Sequence, residues 1–343
     1  MQSRRIWTIG AIVGTVVVLL LAVGGQWFTP YLSPGGGGFM VIAFAGGPGS
    51  DTASIYQNLA TNASQVTYLA PYWYKVNADG SVTASVDQQL LALARRYNVK
   101  VAPLFTNGRG NETFLLQPTV RSRAVANISA IVRSNNYAGA SIDFELLRPD
   151  ARVGLVSFTT QLVRSLHAMR KMVSVDVVPE GHSNLSRGAY DYHSLATVAD
   201  AVVLMTYDEH DDTSSAGPVA GIDWVTRRLQ EALGAGVPAD KLVLGIADYG
   251  YDWSGSGHAP TVAERDVPGI ATAHHAAIVW SSADQEPHLT YTSGGATHQI
   301  WFENSKAVGI RVALARRQRL AGVALWRMGY EDQAVWDAIK QNR

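Results

Sequence analysis

The sequence predicts an α/β protein built as a TIM-type (β/α)8 barrel. Eight short apolar runs rich in β-forming residues alternate with amphipathic helical stretches after residue 39. Near-continuous apolar strands are typical of a parallel sheet that is buried on both faces. An open doubly wound sheet is the alternative, but the turn at 44–49, after the first run, lacks the glycine spacing of a dinucleotide-binding loop. Eight strand–helix units therefore favour the closed barrel.

The predicted strands follow one another at short intervals with one exception. They are 39–45, 66–72, 100–105, 140–145, 172–178, 201–207, 241–247 and 322–326. Helices are predicted between them, for example over 86–97, 119–134, 153–169 and 224–233. The long interval before the eighth strand has strand-like segments of its own at 277–280, 288–291 and 298–302. We interpret 254–303 as a small α+β insertion that forms one wall of a groove; an insertion that only adds stability is the alternative.

The first 38 residues predict export. Arg4 and Arg5 precede an uncharged apolar run at 6–25, and about 20 apolar residues span a bilayer. The positive-inside rule places residues 1–5 in the cytoplasm and the rest of the chain outside. We expect a single-pass membrane anchor; the alternative is a cleaved signal peptide, which would make the protein secreted. The glycine-rich segment 26–38 predicts a flexible linker, and the folded domain is expected over 39–343.

The composition excludes several classes of protein. Lys+Arg and Asp+Glu are 28 each, so no global field would attract nucleic acid, and no nucleic-acid partner is expected. The chain has no cysteine, which excludes disulfides, thiolate metal sites and cysteine nucleophiles. Hydrophobic residues make up 47% and charged residues 16%, which excludes a disordered chain. Nothing in the sequence indicates an oligomeric state.

Two carboxylates end the fourth predicted strand. Alternate residues of a strand face the same way, so Ser141, Asp143 and Glu145 would point into the barrel, and Ile142 and Phe144 would pack under the helices. Active sites of TIM barrels lie at this end of the strands. Two carboxylates in a partly dry site repel each other, so one keeps its proton near neutral pH, as a general acid requires. Glu145 is the natural proton donor and Asp143 its partner; a structural pair that caps a helix is the alternative.

A second polar group ends the sixth predicted strand. Met205 and Tyr207 would face the same way, so the Tyr207 hydroxyl could reach a ligand, and Asp208 begins the following loop. The acids and His210 within 208–212 could also be interpreted as a metal site. Consecutive acids are more often solvated loop residues, so we expect no metal and no cofactor.

Aromatic residues recur at the ends of the predicted strands. Trp326 ends the eighth strand, Tyr72 and Tyr74 lie at the end of the second, and Tyr251 follows the seventh. Rings of this kind stack on the apolar faces of sugars, so the pattern favours carbohydrate recognition. Ordinary core packing is the alternative for each residue taken alone.

These stretches together resemble glycoside hydrolase family 18, which includes chitinases and related N-acetylglucosaminidases. The stretch 137–145 resembles that family's Asp-x-x-Asp-x-Asp-x-Glu on the fourth barrel strand. The stretch 205–208 resembles its Met-x-Tyr-Asp on the sixth strand, and Trp326 matches its Trp on the eighth. The stretches 204–210, 217–220, 241–246, 249–253 and 326–329 resemble the bacterial spore-germination and cortex-lytic branch, whose members act on peptidoglycan glycan.

The resemblance implies a glycosidase that cleaves β-1,4 bonds next to N-acetylglucosamine in peptidoglycan or a chitin-like polysaccharide, by a retaining, substrate-assisted mechanism. Glu145 would protonate the glycosidic oxygen and then act as base for water. The substrate's N-acetyl carbonyl would attack the anomeric carbon, while Asp143 orients the acetamide and Tyr207 donates a hydrogen bond to its oxygen. Asp208 would position the sugar and Trp326 would form its floor. The other candidate substrate-binding residues are Met205, Tyr72, Tyr74, Tyr251 and Ser141.

The sequence departs from the family signature at two positions. Ala138 and Ser141 stand where the signature has its first and second Asp. Ser141 can donate a hydrogen bond but cannot carry a negative charge, so we expect an altered rate and pH optimum. A family-18-fold protein that binds glycan with weak or no cleavage is the first alternative. An unrelated barrel hydrolase, or a structural partner of a cell-envelope machine, is the second.

Overall fold

Eight parallel strands close into a barrel in the computed structural model of the chain, which describes residues 38–108, 110–180, 187–255 and 257–343. The strands are β1 (Met40–Ala45), β2 (Tyr68–Val76), β3 (Leu104–Thr106), β4 (Gly139–Asp143), β5 (Met172–Val177), β6 (Ala201–Leu204), β7 (Leu242–Ala247) and β8 (Gly322–Met328). They pair in the order β1–β8–β7–β6–β5–β4–β3–β2, and β1 pairs with β2 to close the ring. Each predicted apolar run overlaps a barrel strand, so the predicted TIM fold is confirmed.

Alternation along the strands divides the side chains into two apolar layers. In β1, Val41, Ala43 and Ala45 belong to the layer shared with the outer helices, whereas Ile42 and Phe44 belong to the barrel interior. All six residues of β1 are buried. Burial on both faces is the physical reason why these strands need near-continuous apolar sequence.

Helices surround the barrel. They are Thr52–Asn62, Gln88–Arg96, Thr113–Leu116, Pro118–Ser134, Arg152–His167, Tyr192–Val198, Ile222–Gly234, Ser305–Arg317 and Gln333–Asn342. Asp51 and Asp87 cap the first two, because each carboxylate accepts hydrogen bonds from amides of the first turn. Two short strands, Val82–Ala84 and Lys100–Val101, also pair with β2.

A second sheet lies between β7 and β8 in the chain. Its five antiparallel strands are ordered Thr261–Ala263, Tyr249–Trp253, Ala296–Phe302, Glu286–Ser293 and Val279–Ser281, and the helix Val267–Ala273 packs against them. This is the predicted α+β insertion. Its sheet begins at Tyr249 rather than near 254, because the strand that directly follows β7 pairs with the insertion and not with the barrel.

Arg311, on the helix Ser305–Arg317, joins the insertion to the barrel. The side chain is 1% exposed and forms ion pairs with Glu286 and Glu303, which are both 0% exposed. Its guanidinium also donates to the carbonyl of Ala220, and Glu286 accepts from the amides of Val219 and Ala220. The loop after β6, the insertion and an outer helix therefore share one buried ion-pair network.

The predicted membrane segment 6–25 and most of the predicted linker lie outside the described residues. Among the residues from 38 onward that the structure describes, no helix is long and apolar enough to cross a membrane.

Candidate active site

A cavity of about 430 Å³ lies at the C-terminal ends of the barrel strands, where active sites of this fold lie. Its lining is formed by Phe44, Asp143, Glu145, Leu146, Asp176, Val178, Pro179, Met205, Tyr207, Asp208, Asp211 and Trp326. The sequence-predicted site residues among them are Asp143, Glu145, Met205, Tyr207, Asp208 and Trp326. The fold therefore brings the predicted acid, its partner and the predicted binding residues of two other strands into one site.

The side chains of Asp143 and Glu145 share a hydrogen bond where β4 ends. Asp143 is 5% exposed, whereas Glu145 is exposed in the cavity. Burial raises the pKa of Asp143 well above its usual value, and the negative charges of Glu145 and then Asp176 raise it further. The pair therefore keeps a proton to higher pH than an exposed aspartate does. The apolar neighbours Ile142 and Phe144 face the helices, as the alternation predicts.

Asn107, just after β3, fixes the backbone of Glu145. Its side-chain Nδ2 donates to the carbonyl of Glu145 at 2.8 Å, and the amide of Glu145 donates to its Oδ1 at 3.0 Å. Asn107 is 2% exposed, so both bonds are shielded from water. Asn107 was not among the site residues predicted from the sequence. Its only signal was its position at the end of a predicted strand.

Ser141 lies beneath the cavity rather than in its lining. Its hydroxyl lies 2.8 Å from the Oγ of Ser174 and 3.3 Å and 3.4 Å from the carboxyl oxygens of Asp176, both on β5. It therefore contacts a carboxyl group instead of being placed to bind substrate. Asp176 was missed from the sequence, although an acid inside an apolar run was a visible signal.

Tyr207 follows β6 and lies in the same cavity as the carboxyl pair. The amide of Met205 still bonds to β5 beyond the end of the β6 ladder, and both side chains line the cavity, as predicted. Gly245 on β7 leaves space for the ring, since a Cβ there would lie 3.0 Å from Cε1 of Tyr207. Burial, and next the charge of Asp143, raises the pKa of Tyr207 well above its usual value. Its hydroxyl therefore stays protonated and can donate a hydrogen bond.

Asp208 is held by two tyrosines of the insertion. Its Oδ1 accepts from the hydroxyl of Tyr249 at 2.5 Å and from that of Tyr251 at 2.9 Å. The backbone φ of Asp208 is 62°, in the left-handed region. Tyr251 lines an adjoining depression of about 220 Å³ with Asp208 and Trp326, so it lies beside the cavity and not in it. Tyr249 was missed as a site residue.

Trp326 forms a wall of the cavity at the end of β8. It is half-buried and meets Phe44 edge to face, with 5.5 Å between the ring centroids. The next residue, Arg327, donates to the carbonyls of Gly46 and Pro48 at 2.8 Å and 2.7 Å, which ties the loop after β1 to β8. An indole fixed in this way presents the kind of surface on which a sugar ring stacks.

The two tyrosines of β2 point to different sides of the barrel. Tyr72 is half-buried and lines a separate depression of about 410 Å³ near the loop after β1. Tyr74 lies in the packed core. Its ring stacks on that of Phe105 with 4.8 Å between the centroids, and its hydroxyl forms a hydrogen bond of 3.0 Å with the hydroxyl of Tyr137. The expectation that Tyr74 lines the substrate site is therefore corrected. A register shift between Tyr72 and Tyr74 breaks the alternation that places i and i+2 on one face.

The acidic loop after β6 makes protein contacts of its own. The His210 ring forms a hydrogen bond of 2.8 Å with the carbonyl of Ser215. The Asp212 carboxylate forms one of 2.8 Å with the ring of His258. Across the described part of the chain, no three His, Asp or Glu side chains are grouped so that they could hold a metal ion.

The chain belongs to glycosyl hydrolases family 18, and the model of that family matches residues 42–331. The resemblance inferred from the motifs of β4, β6 and β8 is therefore confirmed, and the protein is a glycosidase of this family.

Two bacterial proteins are similar to the chain over most of its length. The chain is 26% identical over 306 residues to the uncharacterized glycosylase YvbX of Bacillus subtilis, covering 85% of this chain and 88% of that protein. It is 26% identical over 307 residues to the cortical fragment-lytic enzyme of Bacillus subtilis, covering 84% of this chain and 70% of that enzyme. Among solved structures, a chitinase from Chromobacterium violaceum superposes with a TM-score of 0.82 at 26% identity, covering 89% of this chain and 99% of that one.

Proposed function

We propose that this chain is an exported enzyme that cleaves β-1,4 bonds next to N-acetylglucosamine, with retention of configuration and with the substrate's own acetamide as the nucleophile. The observation that carries the proposal is the direct hydrogen bond between Asp143 and Glu145 in the cavity.

Two carboxyl groups that share a hydrogen bond lie too close together to flank a sugar ring. Retaining enzymes with a carboxylate nucleophile separate the two groups by about 5–5.5 Å, and inverting enzymes by about 6.5–9.5 Å. Asp143 therefore lies on the same side of the anomeric carbon as the acid and is not the nucleophile. A neighbouring acetamide fills that role in family 18, which is an exception to the two-carboxylate scheme.

In the first step, Glu145 gives its proton to the glycosidic oxygen, and the bond from that oxygen to the anomeric carbon breaks. The acetamide carbonyl oxygen forms a new bond to that carbon and yields a cyclic oxazolinium ion. Asp143 accepts a hydrogen bond from the acetamide N–H and stabilises the positive charge, and the protonated Tyr207 donates a hydrogen bond to the acetamide oxygen.

In the second step, water attacks the anomeric carbon and opens the oxazolinium ring, while the sugar ring stays closed. Glu145, now a carboxylate, takes the proton of that water and returns to its starting state. Asp208 holds a hydroxyl of the distorted sugar. Trp326 stacks on the sugar's apolar face, and Met205 packs against it, since all three line the cavity.

The substrate class follows from the chemistry of the nucleophile. Only a sugar with a 2-acetamido group can supply it, and both peptidoglycan and chitin contain such sugars. The names of the relatives, a cortical fragment-lytic enzyme and a chitinase, support these two polymers as the ones to test.

The experiment compares the full chain, purified in mild detergent, with a Glu145→Gln variant. Both are incubated with peptidoglycan and with chitin oligosaccharides, and the products are analysed by mass spectrometry. We expect cleavage by the parent and none by Glu145→Gln, which should still bind glycan. Glu231→Gln, on the exposed side of an outer helix, is the matched control and should cleave like the parent.

A protein that binds glycan with little or no cleavage is the second candidate. Ala138 and Ser141, where the signature has acids, favour it. Equal binding and no cleavage by the parent and by Glu145→Gln would support this candidate and overturn the proposed enzyme.

Export is proposed from the apolar segment 6–25 and the two arginines before it. We propose a single-pass anchor with the barrel outside the cell. Protease treatment of intact cells should digest the barrel and leave a short membrane-bound fragment. A barrel protected until the cells are lysed would contradict this orientation.

A further inference from the structure

Asp176 is a further carboxyl group at the site, and the steps above do not use it. It lies on β5, is 2% exposed and reaches the cavity lining between β4 and β6. The hydroxyl of Ser141, on the neighbouring strand β4, contacts both of its carboxyl oxygens. A buried acid inside a mostly apolar strand is costly for folding, so a function is expected of it.

The carboxyl groups of Asp143, Glu145 and Asp176 interact strongly. The negative charge of Asp176 raises the pKa of Asp143, and burial, together with the charge of Glu145, raises the pKa of Asp176 itself. The hydrogen bond from Ser141 acts in the opposite direction and lowers the pKa of Asp176.

Among the described residues, two tyrosines also face Asp176. Tyr207 approaches from the loop after β6 and Tyr190 from the segment after β5, and the charge of Asp176 contributes to the raised pKa of both phenols. Within the described ranges, no Lys, Arg or His forms an ion pair with Asp143 or Asp176. No described side-chain cation therefore offsets the negative charge of these two carboxyl groups.

We propose that Asp176 is a positioning residue that supplies, from β5, the buried negative charge which keeps the Asp143–Glu145 pair protonated and oriented. The inference rests on the proposed function. Asp176 lies outside the signature stretch 137–145 and would supply the charge that Ser141 cannot carry.

The charge, rather than the shape, of Asp176 is what the role requires. Asparagine has nearly the same volume and can still accept a hydrogen bond from Ser141. A merely structural residue would therefore tolerate Asp176→Asn. A charged positioning residue would not, because the proton on the carboxyl pair would be held less tightly once the neighbouring charge is removed.

The test is the pH dependence of kcat/KM for the full chain in detergent, with chitin oligosaccharide or peptidoglycan as substrate. Asp176→Asn should lower kcat by about 10-fold or more and move the alkaline limb to lower pH by about one unit. Asp200→Asn is the control, since Asp200 is also buried but lies at the opposite end of the barrel, before β6, bonded to His167 and to the amide of Val173. It should change thermal stability and leave the pH profile in place.

A double variant provides the rescue. The side chains at 141 and 176 are in contact, so Ser141→Asp combined with Asp176→Ser moves the carboxyl group to β4 and keeps the total charge. We expect it to restore the alkaline limb and most of the lost kcat. An unchanged profile in Asp176→Asn, or a folded double variant no better than Asp176→Asn, overturns the role of Asp176.

The parent and Glu145→Gln separate this result from the proposed function. If the parent cleaves and Glu145→Gln does not, the proposed function stands whatever Asp176→Asn does. If the parent cleaves neither polymer, the proposed function fails and the role of Asp176 fails with it.

Discussion

Tyr249, on the first strand of the insertion, donates its hydroxyl to Oδ1 of Asp208 in the loop after β6, over 2.5 Å. Burial, and next the charge of Asp208, raises the pKa of Tyr249 well above its usual value, so this hydroxyl is a donor throughout the ordinary pH range. The insertion therefore helps to build the active site as well as covering the barrel, because it fixes a carboxyl group that lines the cavity.

Removing that hydroxyl should weaken catalysis without unfolding the chain. Hydrogen bonds to charged groups are worth about 1.5–3 kcal/mol, so we expect Tyr249→Phe to lower kcat/KM by about 10-fold or more. Tyr291→Phe is the control, because the Tyr291 hydroxyl donates at 2.6 Å to Asp252, which is not in the cavity lining. Steady-state kinetics on chitin oligosaccharide decide the matter; equal kcat/KM in the two variants would show that Asp208 does not need this bond.

Asn107 should control the placement of the acid. Asn107→Ala removes both hydrogen bonds to the backbone of Glu145 and leaves the carboxyl group itself in place. We expect a loss of about 10-fold in kcat with a smaller change in KM, because the acid acts in the transition state. Asn127→Ala, which removes a bond to the carbonyl of Gly80 on the outside of the barrel, is the comparison. A change in KM alone would contradict a role in placing Glu145.

The raised pKa of Asp143 makes stability depend on pH in a defined direction. The folded state holds this proton more tightly than the unfolded chain, where aspartate has a pKa of about 3.9. Stability from this group is fully present below that value and is lost as pH rises towards the folded-state pKa. Asp143→Asn removes the titration, so its melting temperature should exceed that of the parent at pH 8 by several degrees.

The difference in melting temperature should shrink as the pH falls towards 4. Each tenfold difference in proton affinity between the two states is worth about 1.4 kcal/mol. Asp150→Asn, at an exposed acid, should match the parent at both pH values. An advantage of Asp143→Asn that is the same at both pH values would show that the effect is not linked to this proton.

The buried ion pairs of Arg311 should dominate the stability of the insertion. Arg311→Met leaves Glu286 and Glu303 buried without their cation, and breaking such a pair costs about 3–5 kcal/mol. Denaturant unfolding should show this loss. Arg317→Met, at an exposed site on the same helix, should cost far less. Equal losses would mean that the ion pairs contribute nothing beyond the side chain's packing.

The sequence was sufficient for features that depend on local pattern. The apolar runs predicted all eight barrel strands, because a strand that is buried on both faces needs apolar residues along most of its length. Alternation placed Asp143 on the inward face of β4 and directed Glu145, just beyond the strand, to the barrel mouth. Met205 and Tyr207 were located in the same way after β6.

The remaining site residues depend on contacts between distant segments. Asp176 reaches Ser141 only because β5 pairs with β4, and Tyr249 reaches Asp208 only because the insertion folds over the barrel. Tyr74 was misplaced because a local register shift in β2 reverses the side that it faces. Spacing along the chain does not encode pairings of this kind.

The central claim is that the substrate's acetamide, and not a directly attacking water, displaces the leaving group while Glu145 protonates it. Time-resolved proton NMR of chitin oligosaccharide hydrolysis tests this most directly, because it identifies the anomer released before mutarotation. A double displacement through the acetamide predicts the β-anomer as the first product of the parent, with no product from Glu145→Gln. The α-anomer as the first product would show single displacement by water and would contradict the mechanism.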